Sequence, residues 1–321
     1  MQSHTVSQTN QTAIRSNRFV HFLKKNYSLY LMILPGVLIF FLFSYLPIFG
    51  LLMAFENYSP VRGFFGSEWV GLKHFIDFFK DPYLGRITKN TIAFGVWGLA
   101  LFPFPVIFAL LLNEVKNTRY KKIVQSISVF PFFISMVILV GLIRDLLDPT
   151  TGVVTLLSYF TGSEMTDLLA DPSAYRSIFG ISGLWNTIGF SSILYLAAIA
   201  GINQEMYESA VMDGAGRFKQ MWYITVPSIM PTVTLLFIMQ IGAFLSSANS
   251  TGSDFQRNLL MYNPLTYETA DTVGTYVYRA GIEGVSASYS TAVNFVFSVV
   301  STLLVLFANQ VSKRLGKASL F

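Results

Sequence analysis

Cysteine is absent from the 321 residues, so neither a disulfide framework nor a thiolate metal site can form. Histidine is nearly absent: His4, His21 and His74 are scattered, two of them in the polar N-terminal stretch. That leaves no metal centre and no imidazole base inside an apolar segment to activate a nucleophile. Charge is scarce as well. Asp, Glu, Lys and Arg make up 12% of the chain, against roughly 25% in an ordinary soluble domain, while 53% is hydrophobic. Such a chain needs lipid around it. Also missing is any G-x-x-x-x-G-K-[ST] loop, whose backbone N–H groups would cradle phosphates. No catalytic residue, metal or cofactor is expected on this chain; if ATP drives it, ATP and magnesium sit on a partner.

Long apolar runs fill the space that charge leaves. The hydrocarbon core of a bilayer is about 30 Å thick and a helix rises about 1.5 Å per residue, so a span needs about 20 residues. Six stretches qualify: Leu29–Phe55, Thr91–Leu112, Ile123–Leu147, Ile178–Ile202, Ser228–Ser247 and Ser288–Val311. The fold class expected is all-α, a polytopic membrane protein with six transmembrane helices. Residues 1–28 are polar and basic and lead into an apolar run longer than a signal-peptide core of about 7 to 15 residues, which predicts a retained first span behind a tail. The predicted division is a cytoplasmic tail at 1–28, a membrane domain at 29–311 and a cytoplasmic tail at 312–321.

Basic residues favour the cytoplasmic side. With the N-terminus inside, that side receives Arg15, Arg18, Lys24, Lys25, Lys116, Arg119, Lys121, Lys122, Arg217, Lys219, Lys313, Arg314 and Lys317, the larger share of 22 Lys and Arg. Both termini are therefore placed in the cytoplasm. The outer loops, Glu56–Asn90, Asp148–Ser177 and Ala248–Ala287, far exceed the about 12 to 15 residues of an ordinary connection. Their turn pairs, Ser59-Pro60, Asp81-Pro82, Asp148-Pro149, Asp171-Pro172 and Asn263-Pro264, predict short helices on the membrane surface. Something docks on that side.

An ion-coupled carrier keeps ionisable groups inside the membrane, and these spans have almost none. The exceptions are Arg144 and Asp145, adjacent near the outer end of the third span. They read either as an interfacial pair or as a polar contact to substrate at the outer mouth. The other polar feature is the cytoplasmic stretch YESAVMDGAGRFKQMWYITVP, Tyr207 to Pro227. Asn203 is a good N-cap with Glu205 in the first turn, Gln204 to Asp213 is helix-compatible, and Gly214-Ala215-Gly216 breaks the run where glycine takes a positive φ. A second helical run, Arg217 to Thr225, is expected to end near Pro227. On the first helix Tyr207, Ala210 and Val211 share a face, while Glu208 and Asp213 project elsewhere. Glu208 reads as a contact to a partner or as a solvated carboxylate; Asp213 reads as a cap of the next turn or as a partner for a base.

The pattern E-x-A-x-x-x-G then I-x-x-P, carried by Glu208, Ala210, Gly214, Ile224 and Pro227, resembles the EAA loop of the permease subunits of bacterial ABC importers. Ser209 and Val226 depart from the usual alanine and leucine. LPGVLIFFLFSYLPIFGLLMAF, SEWVGLKHF, PFFISMVILVGLIRDLLDPTTG and MDGA extend the likeness to carbohydrate-uptake permeases, most similar in the oligosaccharide and polysaccharide branch that includes the larger permease subunits of alginate importers. The resemblance implies a type I importer fold with a coupling helix between spans 4 and 5, within 203–227. It assigns ATPase coupling to Tyr207, Glu208, Ala210, Asp213, Gly214, Ala215, Ile224 and Pro227. The implied partners are a second, different permease, two cytoplasmic ATPase subunits, an extracytoplasmic solute-binding protein, an oligosaccharide and membrane lipid, with no nucleic acid, in the bacterial inner membrane. Exchanging Glu208→Lys or Gly214→Asp is expected to uncouple ATP hydrolysis from uptake.

A sugar path through apolar helices needs planar hydrogen-bonding groups and aromatic faces. Trp185 and Asn186 in the fourth span, Gln240 in the fifth and Asn294 in the sixth are the candidates, able to line one cavity. Asn and Gln also join helices to each other, and a tryptophan also anchors at the interface. Two rival classes stay open at this stage: a gradient-driven carrier, and a membrane scaffold that recruits a cytoplasmic partner.

Overall fold

Backbone groups in lipid have no water to bond, so a spanning chain closes its hydrogen bonds within helices. The computed structural model describes residues 25–155, 167–243, 253–283 and 286–314, and these are helical almost throughout. The N-terminal tail before residue 25 and the C-terminal tail after residue 314 lie outside the described residues. Two units divide the chain, one up to Met53 and one from Ala54.

Helix α1 (Tyr27–Phe40) lies in the first unit and runs on through a wide turn, Phe41–Tyr45, and a tighter helix, Leu46–Phe55, as one apolar segment of 29 residues whose last two belong to the second unit. Pro35 lies inside α1, and the side chains of α1 are exposed along its whole length. Such an all-round apolar surface suits lipid or another membrane chain.

The second unit holds four further long apolar helices: α3 (Leu84–Leu101) continuing as α4 (Pro103–Glu114), α7 (Pro172–Ala200), the run Arg217–Gly242, and α13 (Ala287–Arg314). The expected third span is a correction. Instead of one helix over Ile123–Leu147, α5 (Thr118–Val129) passes through a tight turn at Phe130–Phe133 and meets α6 (Met136–Leu147) at 103°. The cause is local. Pro131 lacks an N–H and Ile134 is extended, and the carbonyl of Pro131 accepts from Ile134 N at 3.1 Å and from Asn186 Nδ2 on α7 at 2.8 Å. Five helices can cross a membrane by length and composition, or six if this bent pair is one span.

Pro103 and Pro105 sit in the first turn of α4 within the second span, and Pro105 is buried there. The fourth span starts at Pro172, earlier than expected, because Asp171 accepts from Ser173 N at 2.8 Å and caps it.

The expected outer loops depart from surface-lying helices. A two-residue hairpin pairs β1 (Glu56–Asn57) with β2 (Glu68–Trp69), in register Glu56↔Trp69, ahead of helix α2 (Lys73–Phe79). Strands this short leave no periodicity to read. The segment from helix α11 (Ser253–Met261) to helix α12 (Val273–Tyr278) packs into the bundle through buried polar groups. Asp271, fully buried, pairs with Arg86 at 2.9 Å and Arg279 at 2.8 Å. Asn90 donates to the carbonyls of Glu268 and Asp271, both at 3.0 Å. Tyr175 donates to Asn258 Oδ1 at 2.7 Å, and Asn258 donates to the Ala270 carbonyl at 3.0 Å. Loop carbonyls are thus bonded by long-range side chains, as burial requires.

Candidate functional site

The polar stretch folds as read at its start and differently at its end. Asn203 caps helix α8 (Gln204–Met212), its side chain accepting from Glu205 N at 3.1 Å. At the far end Ala215 N donates to the Ala210 carbonyl at 2.8 Å and Gly214 N to the Val211 carbonyl at 3.0 Å. This double closure needs a left-handed residue, and Gly214 supplies it with φ 73°. Gln220 Nε2 donates to the Ala215 carbonyl at 2.7 Å, so the turn is bonded from both sides. Ser209, the departure from alanine, returns its hydroxyl to the Glu205 carbonyl at 2.8 Å and leaves the helix unbroken.

From Gly216 the chain does not stop at Pro227. Helix α9 (Arg217–Gln220), a wide turn at Met221–Thr225 and helix α10 (Val226–Gly242) form one run of 26 residues. The wide turn sits just before Pro227, where the ring cannot donate to the preceding turn, and so accommodates it. Pro227 is exposed inside this helix.

Tyr207 and Ala210 face inward and are half-buried; Val211, expected with them, is exposed. The Tyr207 hydroxyl shares a 2.8 Å hydrogen bond with Thr225 Oγ1, and Tyr207 and Ile224 pack on Ala109, Tyr195, Ile199, Ile202 and Ile229. Helix α8 is thereby seated on three spans at once. Arg217 adds a bond to the Glu114 carbonyl at 3.3 Å. Glu208 and Asp213 are exposed, and their side chains bond to none of the described residues; the next helix begins at Gly216 with no side-chain cap. Beside them stand Met212, 87% exposed, and Phe218, 72% exposed. Sequence reading passed over both, although apolar residues within a polar loop were a usable sign.

The membrane candidates do not converge. Gln240 faces a cavity of about 460 Å³ enclosed by α3, α7, α10 and α11, and its Nε2 lies close to Gly98. Asn186 is buried and holds Pro131, as above. Trp185 points away and is 45% exposed. Asn294 is half-buried with its Oδ1 enclosed and unbonded, and it does not line the cavity. Arg144 is exposed and donates to the Leu260 carbonyl, tying α6 to α11; Asp145 is exposed beside it.

Residues that sequence reading missed complete the cavity. Trp97, Phe179 and Thr187 line it, and Arg257 and Asp254 enter it from α11. Arg257 is 4% exposed, its guanidinium 4.0 Å above the Phe179 ring and 3.0 Å from Asp254 Oδ1. Burial pulls this guanidinium below its ordinary pKa, while Asp254 acts the other way. Nothing in the sequence distinguishes Arg257 from the other loop cations.

Similarity to known proteins spans up to 96% of the chain. The model of the binding-protein-dependent transport system inner membrane component family matches residues 101–317. Protein LplB of Bacillus subtilis is 41% identical, covering 93% of this chain and 92% of its own length. The polygalacturonan/rhamnogalacturonan transport system permease YteP of Bacillus subtilis is 40% identical over 96% and 94%. The crystal structure of a bacterial ABC transporter for the acidic polysaccharide alginate contains a chain matching at a TM-score of 0.85 and 39% identity, over 94% of this chain and all of that one. A second structure, the alginate transporter with a periplasmic protein bound to alginate pentasaccharide, matches at 0.84 and 38%, over the same shares. With its capped loop helix, its bundle of long apolar helices and this family match, the chain belongs to the inner membrane components of binding-protein-dependent transport systems, with the type I ABC permease fold.

Proposed function

We propose that this chain is one of two permease halves of an ATP-driven importer of oligosaccharides or polysaccharide fragments, alginate among them, its other half a different chain. Two cytoplasmic ATPase subunits carry ATP and magnesium, and an extracytoplasmic binding protein delivers the sugar to the outer loops. Both chain ends face the cytoplasm. The observation that supports this best is helix α8: capped at both ends, fastened to the spans by Tyr207, and offering Glu208 and Met212 outward, with Phe218 of α9 exposed beside them. A coupling element shifts an equilibrium only if it binds its partner differently in two states. A helix seated on three spans passes that difference on as a rigid-body push.

The test is reconstitution with the partner subunits and the binding protein. Uptake should require ATP, and Glu208→Lys should leave the protein inserted while separating ATP hydrolysis from uptake. Uptake by the chain alone under an ion gradient, or normal uptake per ATP in the Glu208→Lys variant, would refute the reading.

A further inference from the structure

The guanidinium of Arg257 is in an unusual position. An ion withdrawn from water loses several kcal/mol of hydration unless its partners replace it. Here the replacement is incomplete. Asp254 takes one bond at 3.0 Å but its side chain is 54% exposed, the Phe179 face covers the plane, and Nε is enclosed with no hydrogen-bond partner. The guanidinium also lies against Gly183 on α7, where a β-carbon would come within 2.2 Å of Nη1 and push the group aside. Packing alone gives no reason to keep a cation with an idle donor at the wall of a cavity. An apolar residue there would satisfy the core better.

The idle donor belongs to a planar fork that matches a carboxylate. Around it the same cavity carries Trp97, a flat apolar face, together with Gln240 and Thr187, which hydrogen-bond neutral hydroxyls. We propose that this cavity, within a single permease half, is a subsite for a uronic acid unit of the oligosaccharide, with Arg257 as the residue that selects acidic over neutral sugar. The inference rests on the oligosaccharide-importer reading and adds to it a location and the residue that reads the charge. A carboxylate in the cavity supplies the counter-charge that this buried guanidinium lacks; a neutral sugar supplies none. Asp254 competes with the incoming carboxylate and tempers its binding.

The test uses the complete importer in proteoliposomes with one binding protein throughout, so that a change between variants belongs to the permease. Two probes are compared: a uronate oligosaccharide, and the same oligosaccharide with its carboxyls reduced to alcohols. Arg257→Met should lower the acid-to-neutral uptake ratio about tenfold or more, the value of one charge-assisted hydrogen bond. Asp254→Asn should raise the ratio, a gain that misfolding cannot imitate, and it decides the matter if Arg257→Met fails to assemble. An unchanged ratio in Asp254→Asn, or in an assembled Arg257→Met, overturns the subsite while leaving the importer intact. Absence of ATP-dependent uptake of either probe by the unaltered complex overturns the importer reading and the subsite with it.

Discussion

Gly214 isolates the contribution of one backbone torsion to coupling. Its φ of 73° lies in the left-handed region, and a β-carbon there would meet nothing within 4 Å. Any penalty from substitution is therefore torsional and not steric against neighbours. An ordinary L-residue in this conformation is disfavoured by roughly 1–2 kcal/mol, and a penalty of that size shifts a local equilibrium by a factor of about 5–30. What would open is the double closure from Ala215 to Ala210 and from Gly214 to Val211, and with it the fixed angle between α8 and the fifth span. Asparagine tolerates the left-handed region, alanine less, and a β-branched residue least. Uptake per ATP hydrolysed, in proteoliposomes holding the complete importer, should fall in the order Gly214, then Asn, then Ala, then Val. Equal coupling in Gly214→Val and the unaltered protein would refute the torsional argument, as would equal damage in the Asn and Val variants. Gly214→Asp is a poorer probe than it looked from sequence, because aspartate accepts this torsion and adds a charge beside Asp213.

Other perturbations test the fold that carries this helix. Asp271→Ala removes the buried partner of Arg86 and Arg279, themselves 32% and 21% exposed, and should cost about 1.5–3 kcal/mol, seen as a lower unfolding temperature in detergent; Arg86→Ala, which spares the Arg279 pair, should cost less. Asn186→Ala removes the bond between α7 and the Pro131 carbonyl, leaving it only that from Ile134 N, and should destabilise by about 0.6–1.7 kcal/mol, the range of hydrogen bonds between membrane helices. Burial alone would push the Asp81 carboxyl up, but hydrogen bonds from Tyr276 and from Tyr289, at 2.6 Å, outweigh it and hold the group below the ordinary carboxylate value. Its folded pKa is depressed, so its contribution is present above the unfolded value and is lost as pH falls through the folded one. Thermal stability should therefore decline on acidification below the ordinary carboxylate range, less so in Tyr276→Phe.

Length and hydropathy were enough to place five of the six expected spans, since a bilayer rewards any run of about 20 apolar residues whatever its neighbours do. The cap and turn of the coupling helix were legible for a similar reason: Asn203 and Gly214 act within a few residues along the chain, where backbone geometry alone sets the chemistry. The same locality explains the error at Pro227. Proline reads as a stop, yet the wide turn at Met221–Thr225, supported by packing of Ile224 and Ile229, carries the helix through it.

Distance in sequence marks what stayed hidden. The 103° break has a local cause at Pro131, but the bond that ties it to α7 comes from Asn186, 55 residues away. Asn186 looked like a sugar ligand until that bond was seen. The ion cluster at Asp271 joins loop to span across 185 residues, and the cavity takes Trp97, Gln240 and Arg257 from three separate segments. Composition and local spacing determined that this is a polytopic membrane chain with no G-x-x-x-x-G-K-[ST] loop and with a capped helix ahead of its fifth span. Which polar groups meet, and which serve only to hold helices together, was decided by tertiary packing. Burial and partner geometry set the energy of a polar side chain, and neither is written in its neighbours along the chain.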